Sequence, residues 1–164
     1  MTRSLLALAW SVPVLLTVAC SSGAPRAKAD AADAVADSVA GETDPCSVLS
    51  TAEVTKQFGT MVESGEMAGM GTGCQWMALD NDTAYAMIGI VRDTSEWSNP
   101  ISAPSYETVT GIDGEGFSVE DPQGGWRAEA RNGKGAYAVL LIGAPSATRE
   151  GAVALLRKLL ERDP

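Results

Sequence analysis

The sequence predicts an α+β domain: an antiparallel sheet of about five to six strands, preceded by a short helix and followed by a longer amphipathic helix. Three observations carry this expectation. Short apolar, partly β-branched runs follow one another through brief Gly, Asp, Asn and Pro clusters. Turns that brief leave no room for crossover helices, so neighbouring strands must run antiparallel. Ahead of these runs stands a capping box, Ser50-Thr51-Ala52-Glu53, and behind them a stretch with helical spacing of its apolar residues, Ala147 to Glu161. Helices segregated to the two ends of an antiparallel sheet define the α+β class.

The chain opens with an address. Arg3 precedes an apolar run from Leu5 to Val18 that contains Pro13 and closes on Ala19-Cys20. The run is too short to span a bilayer comfortably and reads as a secretory signal peptide over residues 1–19. A small residue before a cysteine at the cleavage point resembles the lipobox of bacterial lipoproteins, with Thr17 at the place where an aliphatic residue is favoured. By that resemblance Cys20 is the lipidated first residue of the mature chain, and the bilayer is a partner through it. Residues 20–43 are Ala, Asp, Ser and Gly with almost no large apolar side chains. Such a segment buries too little to fold alone and reads as a flexible tether. As a coil it holds the domain roughly 25 to 30 Å from the membrane, which places the protein at the outer face of the cell membrane.

The remaining chain, residues 44–164, is long enough for one core. Asp44-Pro45 is an N-cap and N1 pair, predicting a helical turn that carries Cys46 and Leu49 inward. The helix after Ser50 spans about 51 to 58 and ends where Gly59 supplies a stop; its apolar residues are Ala52, Val54 and Phe58. A strand is expected near Thr60 to Glu63, followed by a Gly- and Met-rich loop. Cys74 to Leu79 and Thr83 to Arg92 flank Asp80-Asn81-Asp82 as a hairpin. Tyr106 to Val109, Phe117 to Glu120, Trp126 to Ala130 and Ala136 to Ile142 are further strands. Ser146 caps the final helix, whose inward stripe is Val153, Leu156 and Leu160, flanked by Ala152 and Leu159.

With Cys20 acylated, Cys46 and Cys74 are the remaining thiols of an exported protein, and a disulfide between them is the simple expectation. It closes a loop of about 28 residues and contributes about 3 to 4 kcal/mol on the chain-entropy account. Two thiolates without histidine make a poor zinc site, and their spacing is not the CxxC of redox enzymes.

The Asp44-Pro45-Cys46 turn with Leu49 three residues on, the short helix, and Cys74-Gln75-Trp76 opening a hairpin behind a lipobox and tether together resemble the actinobacterial lipoprotein family known as domain of unknown function 3558. Tyr106 to Gly114 is similar to that family's middle segment. The likeness covers about residues 44 to 162. Many members hold a second cysteine pair; Ala144-Pro145-Ser146 occupies one of its places here, so the match is to a one-disulfide variant. The resemblance implies an envelope location and no activity.

Composition excludes more than it assigns. The chain has no His, with 12 basic against 21 acidic residues, a net charge of −9. Without histidine, the Ser-His and Cys-His nucleophile pairs and the usual general base near neutral pH are absent. An acidic chain with no dense basic patch repels phosphate backbones, so nucleic acid is not an expected partner. Asp80-Asn81-Asp82 offers oxygen ligands but lacks the glycine and distal glutamate of an EF-hand loop, and reads as a polar turn. Gly111-Ile112-Asp113-Gly114-Glu115-Gly116 lacks the order and lysine of a phosphate loop. Met61, Met67, Met70, Met77 and Met87 can in principle ligate Cu(I), but they read as adaptable core packing with a mobile loop. No cofactor and no metal are expected.

The expected site follows from strand patterning. Thr83 to Arg92 carries Ala84, Ala86, Ile88 and Ile90 on one side and Tyr85, Met87 and Val91 on the other. Ala136 to Ile142 carries Ala136, Ala138, Leu140 and Ile142 against Tyr137, Val139 and Leu141. Neither side is polar, so both faces of the sheet need cover. Met77, Tyr85, Met87, Tyr137 and Leu141 are grouped as a bulkier face under the Met67 to Gly73 and Trp97 loops, a surface for a ligand or partner unless the first helix fills it. Trp76 is expected over the disulfide and Trp126 in the core, while Trp97 is either a plug over the core or an exposed contact. The functional expectation is a noncatalytic, membrane-anchored module binding a small apolar or amphiphilic molecule. The alternative is an accessory protein docking on another envelope protein, with a carboxylate-only enzyme a distant third.

Overall fold

The computed structural model describes residues 44–163. The lipidation site, the signal peptide and the tether lie outside the described residues. The domain contains α1 (Pro45–Val48), α2 (Thr51–Phe58), β1 (Glu66–Ala68), a 3-10 turn (Gly69–Gly71), β2 (Gly73–Met77), β3 (Tyr85–Val91), β4 (Glu107–Thr108), β5 (Glu115–Glu120), β6 (Gly125–Arg131), β7 (Ala136–Ile142) and α3 (Arg149–Arg162). All seven strands form one antiparallel sheet in the order β1-β2-β3-β7-β6-β5-β4. The α+β class is as expected, and the strand count is higher.

The extra strand arises where a loop was expected. Glu66–Ala68 pairs with Gln75, Cys74 and Gly73, whereas Thr60 to Glu63 contributes an isolated bridge from Val62 to Ala78. Glu66-Met67-Ala68 has no apolar alternation to mark it, because an edge strand this short is selected by its neighbour's free backbone groups. The Asp80-Asn81-Asp82 turn forms as a polar loop, with Asn81 Oδ1 accepting from the Thr83 amide at 3.0 Å.

Both short helices start as their caps dictate. Asp44 accepts from the Cys46 amide, and Ser50 and Glu53 exchange hydrogen bonds at 3.2 and 3.3 Å, which satisfies orphan amides of the first turn. Gly59 closes α2 in the left-handed region at φ 78°, a conformation costly for other residues. The final helix begins later than expected: Thr148, not Ser146, is its N-cap. The Ser146 hydroxyl instead donates to the Phe58 carbonyl at 2.9 Å, tying the chain before α3 to the end of α2.

The two long elements on the helical side are antiparallel and close. A Cβ at Gly151 would lie 2.4 Å from the Gln57 carbonyl oxygen, so glycine sets the approach of α3 to α2. At the other end Glu53 accepts from Lys158 at 2.8 Å and from Arg162 at 2.7 Å. The stripe that α3 buries is Gly151, Ala152, Leu155, Leu156 and Leu159, while Val153 and Leu160 are half-buried. The expected stripe is therefore rotated about one residue, because α3 contacts both the sheet and α2 and needs a wider apolar arc than one sheet would demand.

The core lies between these helices and one face of the sheet. It contains Leu49, Val54 and Phe58 from the N-terminal helices, Cys74 and Trp76 from β2, Ala86, Ile88 and Ile90 from β3, and Tyr137, Val139 and Leu141 from β7. Ala128 and Ala130 of β6 are fully buried beneath α3, their small side chains letting the helix approach. Cys46 and Cys74 are bonded, joining α1 to β2. Trp76 lies by that bridge: a Cβ placed on Gly65 would meet both Cys74 Sγ and the Trp76 indole.

Candidate functional site

The register decides which side chains share a face. Tyr85 stands opposite Ile142, Met87 opposite Leu140, and Ile90 opposite Tyr137. In an antiparallel pair, opposed residues point the same way. Tyr85, Met87 and Met77 therefore share a face with Ala136, Ala138 and Leu140, away from the helices. Tyr137 and Leu141 lie on the helix-covered face and are buried. The expected grouping of these two with Tyr85 and Met87 is corrected on this point: parity along one strand was legible, but the offset between strands was not.

The Tyr137 hydroxyl is also occupied. It donates to Asp163 Oδ2 at 2.6 Å, and Arg92 donates to both Asp163 oxygens at 2.6 and 2.7 Å. Arg92, foremost, and Tyr137 hold the Asp163 carboxyl below its ordinary range, while burial and the Asp163 charge push the Tyr137 phenol up. This network fastens the end of α3 to the sheet and offers no polar handle to a ligand.

The helix-free face is divided in two. Over β5 and β6 lies the segment between β3 and β4. Its Trp97 and Tyr106 rings each sit 5.9 Å from the Phe117 ring, which they bury completely. Arg131 stacks 4.7 Å from the Trp97 ring centre, and Arg127 lies 5.8 Å from Phe117. Glu120 donates its amide to Ser105 Oγ at 2.8 Å, holding the far end of this segment down. Trp97 is thus a plug over Phe117, half-buried, and also lines the neighbouring recess. Over β2 and the adjoining half of β3 no described element lies. Met77, Tyr85 and Met87 are half-buried there, and Leu79 is 56% exposed.

Between the two halves is a cavity of about 370 Å³. Gly89, Val91, Ala136 and Ala138 line its β3 and β7 side, Arg127 and Glu129 belong to β6, and Trp97 and Pro100 to the covering segment. Small residues at Gly89, Ala136 and Ala138 make the room. Its polar side chains are Asp93, Glu96, Ser98, Arg127 and Glu129, and Asp93 accepts from the Ser95 amide at 2.9 Å. Glu129 has Arg127 as its one ion-pair partner among the described residues, at 3.4 Å, and its side chain is 17% exposed. Burial raises its pKa, opposed only in part by Arg127. Trp97 Nε1 and Arg127 Nε are buried without a hydrogen-bond partner among the described residues. Buried donors left in that condition are uncommon and cost stability.

The sequence carried a signal for this site in Trp126-Arg127-Ala128-Glu129-Ala130-Arg131, where charge alternates with alanine at period two. One parity faces α3 and the other faces the cavity. Of the expected site residues, Trp97 lines this cavity, and Tyr137 does so from a strand whose side chain is buried on the other face. Met77 lines a separate recess of about 260 Å³ with Met67, Glu63, Glu66 and Gln75. A third recess, about 270 Å³ between β4 and α3, is polar and internally paired: Arg149 meets Glu107, and Arg157 donates to the Thr110 carbonyl. Among the described residues no three His, Cys, Asp or Glu side chains converge as a metal centre, and no helix is long and apolar enough to cross a membrane. No family model matches the chain, and no curated protein matches it.

Proposed function

We propose that the chain is a membrane-anchored envelope lipoprotein whose domain binds a small apolar or amphiphilic molecule, without catalysis, in the recess beside Trp97. The observation that supports this reading is the cavity itself: about 370 Å³, with Gly89, Val91, Ala136, Ala138, Trp97 and Pro100 in its lining beside the charged Asp93, Glu96, Arg127 and Glu129. Ligand pockets have that composition, and the volume lies at the small end of their range. The acylated Cys20 and the tether over residues 20–43 hold the domain near the outer face of the membrane. The likeness of Asp44-Pro45-Cys46 and Cys74-Gln75-Trp76 to the envelope lipoprotein family is consistent with that location.

A second reading rests on the other half of the helix-free face. Met77, Leu79, Tyr85 and Met87 form an apolar surface over which no described element lies, and such surfaces mark protein contacts. An accessory role on another envelope protein would use that half.

Purification of the full-length protein from native membranes, with mass spectrometry of what accompanies it, separates the readings. Ala138→Leu fills the recess from its floor without entering the core. Loss of a co-purified small molecule in this variant, with the melting temperature kept, supports the first reading. Loss of a co-purified protein in Tyr85→Ala, with Ala138→Leu unaffected, supports the second. Cys20→Ala tests the anchor: release into the medium or an unprocessed chain is expected, and a mature-sized species in the membrane fraction would overturn it.

A further inference from the structure

On the β2 side of the helix-free face the register builds an apolar surface. Val62 bridges to Ala78, and both are buried. The flanking pairs, Met61 with Leu79 and Glu63 with Met77, are joined by backbone hydrogen bonds from the Leu79 and Glu63 amides, and by strand parity they point the other way, to the helix-free face. Tyr85 stands opposite Met77, and Met87 lies between Gln75 and Leu140 on that same face. Met61 is 67% exposed and Leu79 56%, while Met77, Tyr85 and Met87 are half-buried.

The charge around this surface is one-sided. Residues 60–91 contain Glu63, Glu66, Asp80 and Asp82 and no Lys or Arg. Glu63 and Glu66 stand along its outer edge, opposite Met77 and Gln75, and Asp80 and Asp82 follow Leu79 in the turn. All four are exposed, and none belongs to an ion pair among the described residues, whereas Glu53, Glu107, Glu115, Glu129, Glu150 and Asp163 all do. The cation at the opposite border, Arg127 beyond Leu140, is paired with Glu129 and lies over the Phe117 ring. Glu63, Glu66, Met67 and Met77 line an open recess of about 260 Å³. It offers thioethers to an aliphatic stem and carboxylates to an ammonium head, the two parts of a lysine side chain.

We infer that this surface docks a basic amphipathic segment of another protein, its apolar side chains on Met61, Leu79, Tyr85 and Met87 and a lysine in the recess that holds Glu63 and Glu66. Charge disfavours the other occupants. Residues 20–43 of the chain itself carry four acidic side chains against two basic. An anionic bilayer surface would meet four carboxylates, and a second copy placed face to face would set the same carboxylates against one another. The inference rests on the second reading above, that this half of the face contacts a protein, and adds the chemistry of the partner.

The test titrates the full-length acylated protein, labelled at its methionine methyl groups and held in phosphatidylcholine nanodiscs, with two short amphipathic peptides that share one apolar face and carry either Lys or Gln beside it. The Lys peptide is expected to shift the Met61, Met77 and Met87 NMR signals and to bind at least about tenfold tighter than the Gln peptide, an advantage that shrinks in high salt. Glu63→Gln combined with Glu66→Gln should weaken the Lys peptide about fivefold and spare the Gln peptide, with the melting temperature kept. Met61→Ser combined with Leu79→Ser should weaken both. If the Gln peptide binds as tightly as the Lys peptide, or the paired Gln variant leaves the Lys peptide unchanged, the charge inference is overturned and the surface remains a protein contact. If neither peptide moves these signals, both are overturned. Movement of the same signals without peptide, on changing the lipid to phosphatidylglycerol or on raising the protein concentration, would assign the surface to the bilayer or to a second copy and overturn both as well.

Discussion

The two faces of the sheet use the same strands to different ends. On the helical face, β7 presents Tyr137, Val139 and Leu141 to α2 and α3, and each is at most 1% exposed. On the other face the same strand presents Ala136, Ala138 and Leu140, half-buried, under partial cover from the Trp97 segment. Close packing on one side leaves no room for anything but protein. On the other, small residues and an irregular lid leave a cavity, and two buried donors, Trp97 Nε1 and Arg127 Nε, without a partner among the described residues. A face that is apolar and yet incompletely packed is where this domain has surface to give to something else.

The largest expected effect sharpens that contrast within one strand. Leu141→Ala should destabilise the domain by about 2 to 5 kcal/mol, because the cavity it leaves is enclosed by helices that cannot collapse freely. Leu140→Ala, one residue earlier and facing the other way, should cost about 1 kcal/mol or less. Denaturant unfolding of the two variants measures the difference. Equal losses would mean that both faces are core.

Cys74→Ser comes next, since the bridge to Cys46 joins α1 to β2 at the margin of the helical face. The expected cost is about 3 to 4 kcal/mol, chiefly through a freer unfolded chain. Because it acts on the unfolded state, the loss should be felt equally by reporters on either face.

These contrasts also show why the sequence was legible in some places and not others. Caps and turns are local, so Ser50-Glu53, Gly59 and the Asn81 turn were readable from a few adjacent residues. The disulfide was readable because Cys46 and Cys74 are the two cysteines within residues 44–164. The site was not, because the pairing of Met87 with Leu140, and not with Tyr137, depends on an offset between residues 53 apart in sequence (140 − 87), set by packing and not by either strand's pattern. The start of α3 failed for a similar reason: Ser146 is as good a cap as Thr148 by composition, but Phe58, far away in the chain, takes its hydroxyl.

A third prediction concerns how the helical face is fastened at its ends. Arg92, first, and then Tyr137 hold the Asp163 carboxyl below its ordinary range; Arg162, followed by Lys158, does the same to Glu53. Each carboxyl binds fewer protons folded than unfolded. The stability it contributes is therefore present above the ordinary carboxylate pKa near 4 and is lost as pH falls below it through the lowered value. Asp163→Asn should cost about 1 to 3 kcal/mol at pH 7, the value of hydrogen bonds to a buried charged group. The gap between variant and parent should close as the pH is lowered through the carboxylate range. A gap independent of pH would mean that shape, not charge, fastens the end of α3.

The smallest effect has the opposite sign and belongs to the other face. Glu129 is raised by burial, with only Arg127 opposing it, so it binds more protons folded than unfolded. Its contribution is most favourable below the unfolded carboxylate pKa and is lost as pH rises through the raised value, leaving a desolvated charge at neutral pH. Glu129→Gln removes that charge and keeps the shape, though it takes from Arg127 its partner. Arg127 is 36% exposed and loses little, since water reaches it. The variant should therefore match or exceed the parent by up to about 1 kcal/mol at pH 7, with the advantage vanishing in acid, where the parent's carboxyl is itself neutral. The helical-face carboxylates Asp163 and Glu53 stabilise the fold as pH rises, whereas this one weakens it, because it is buried with only Arg127 to offset the lost hydration. A loss of stability at pH 7 in Glu129→Gln would place Glu129 with Asp163 and Glu53 as a fastening of the fold, and would remove the reason to regard the two faces as built for different purposes.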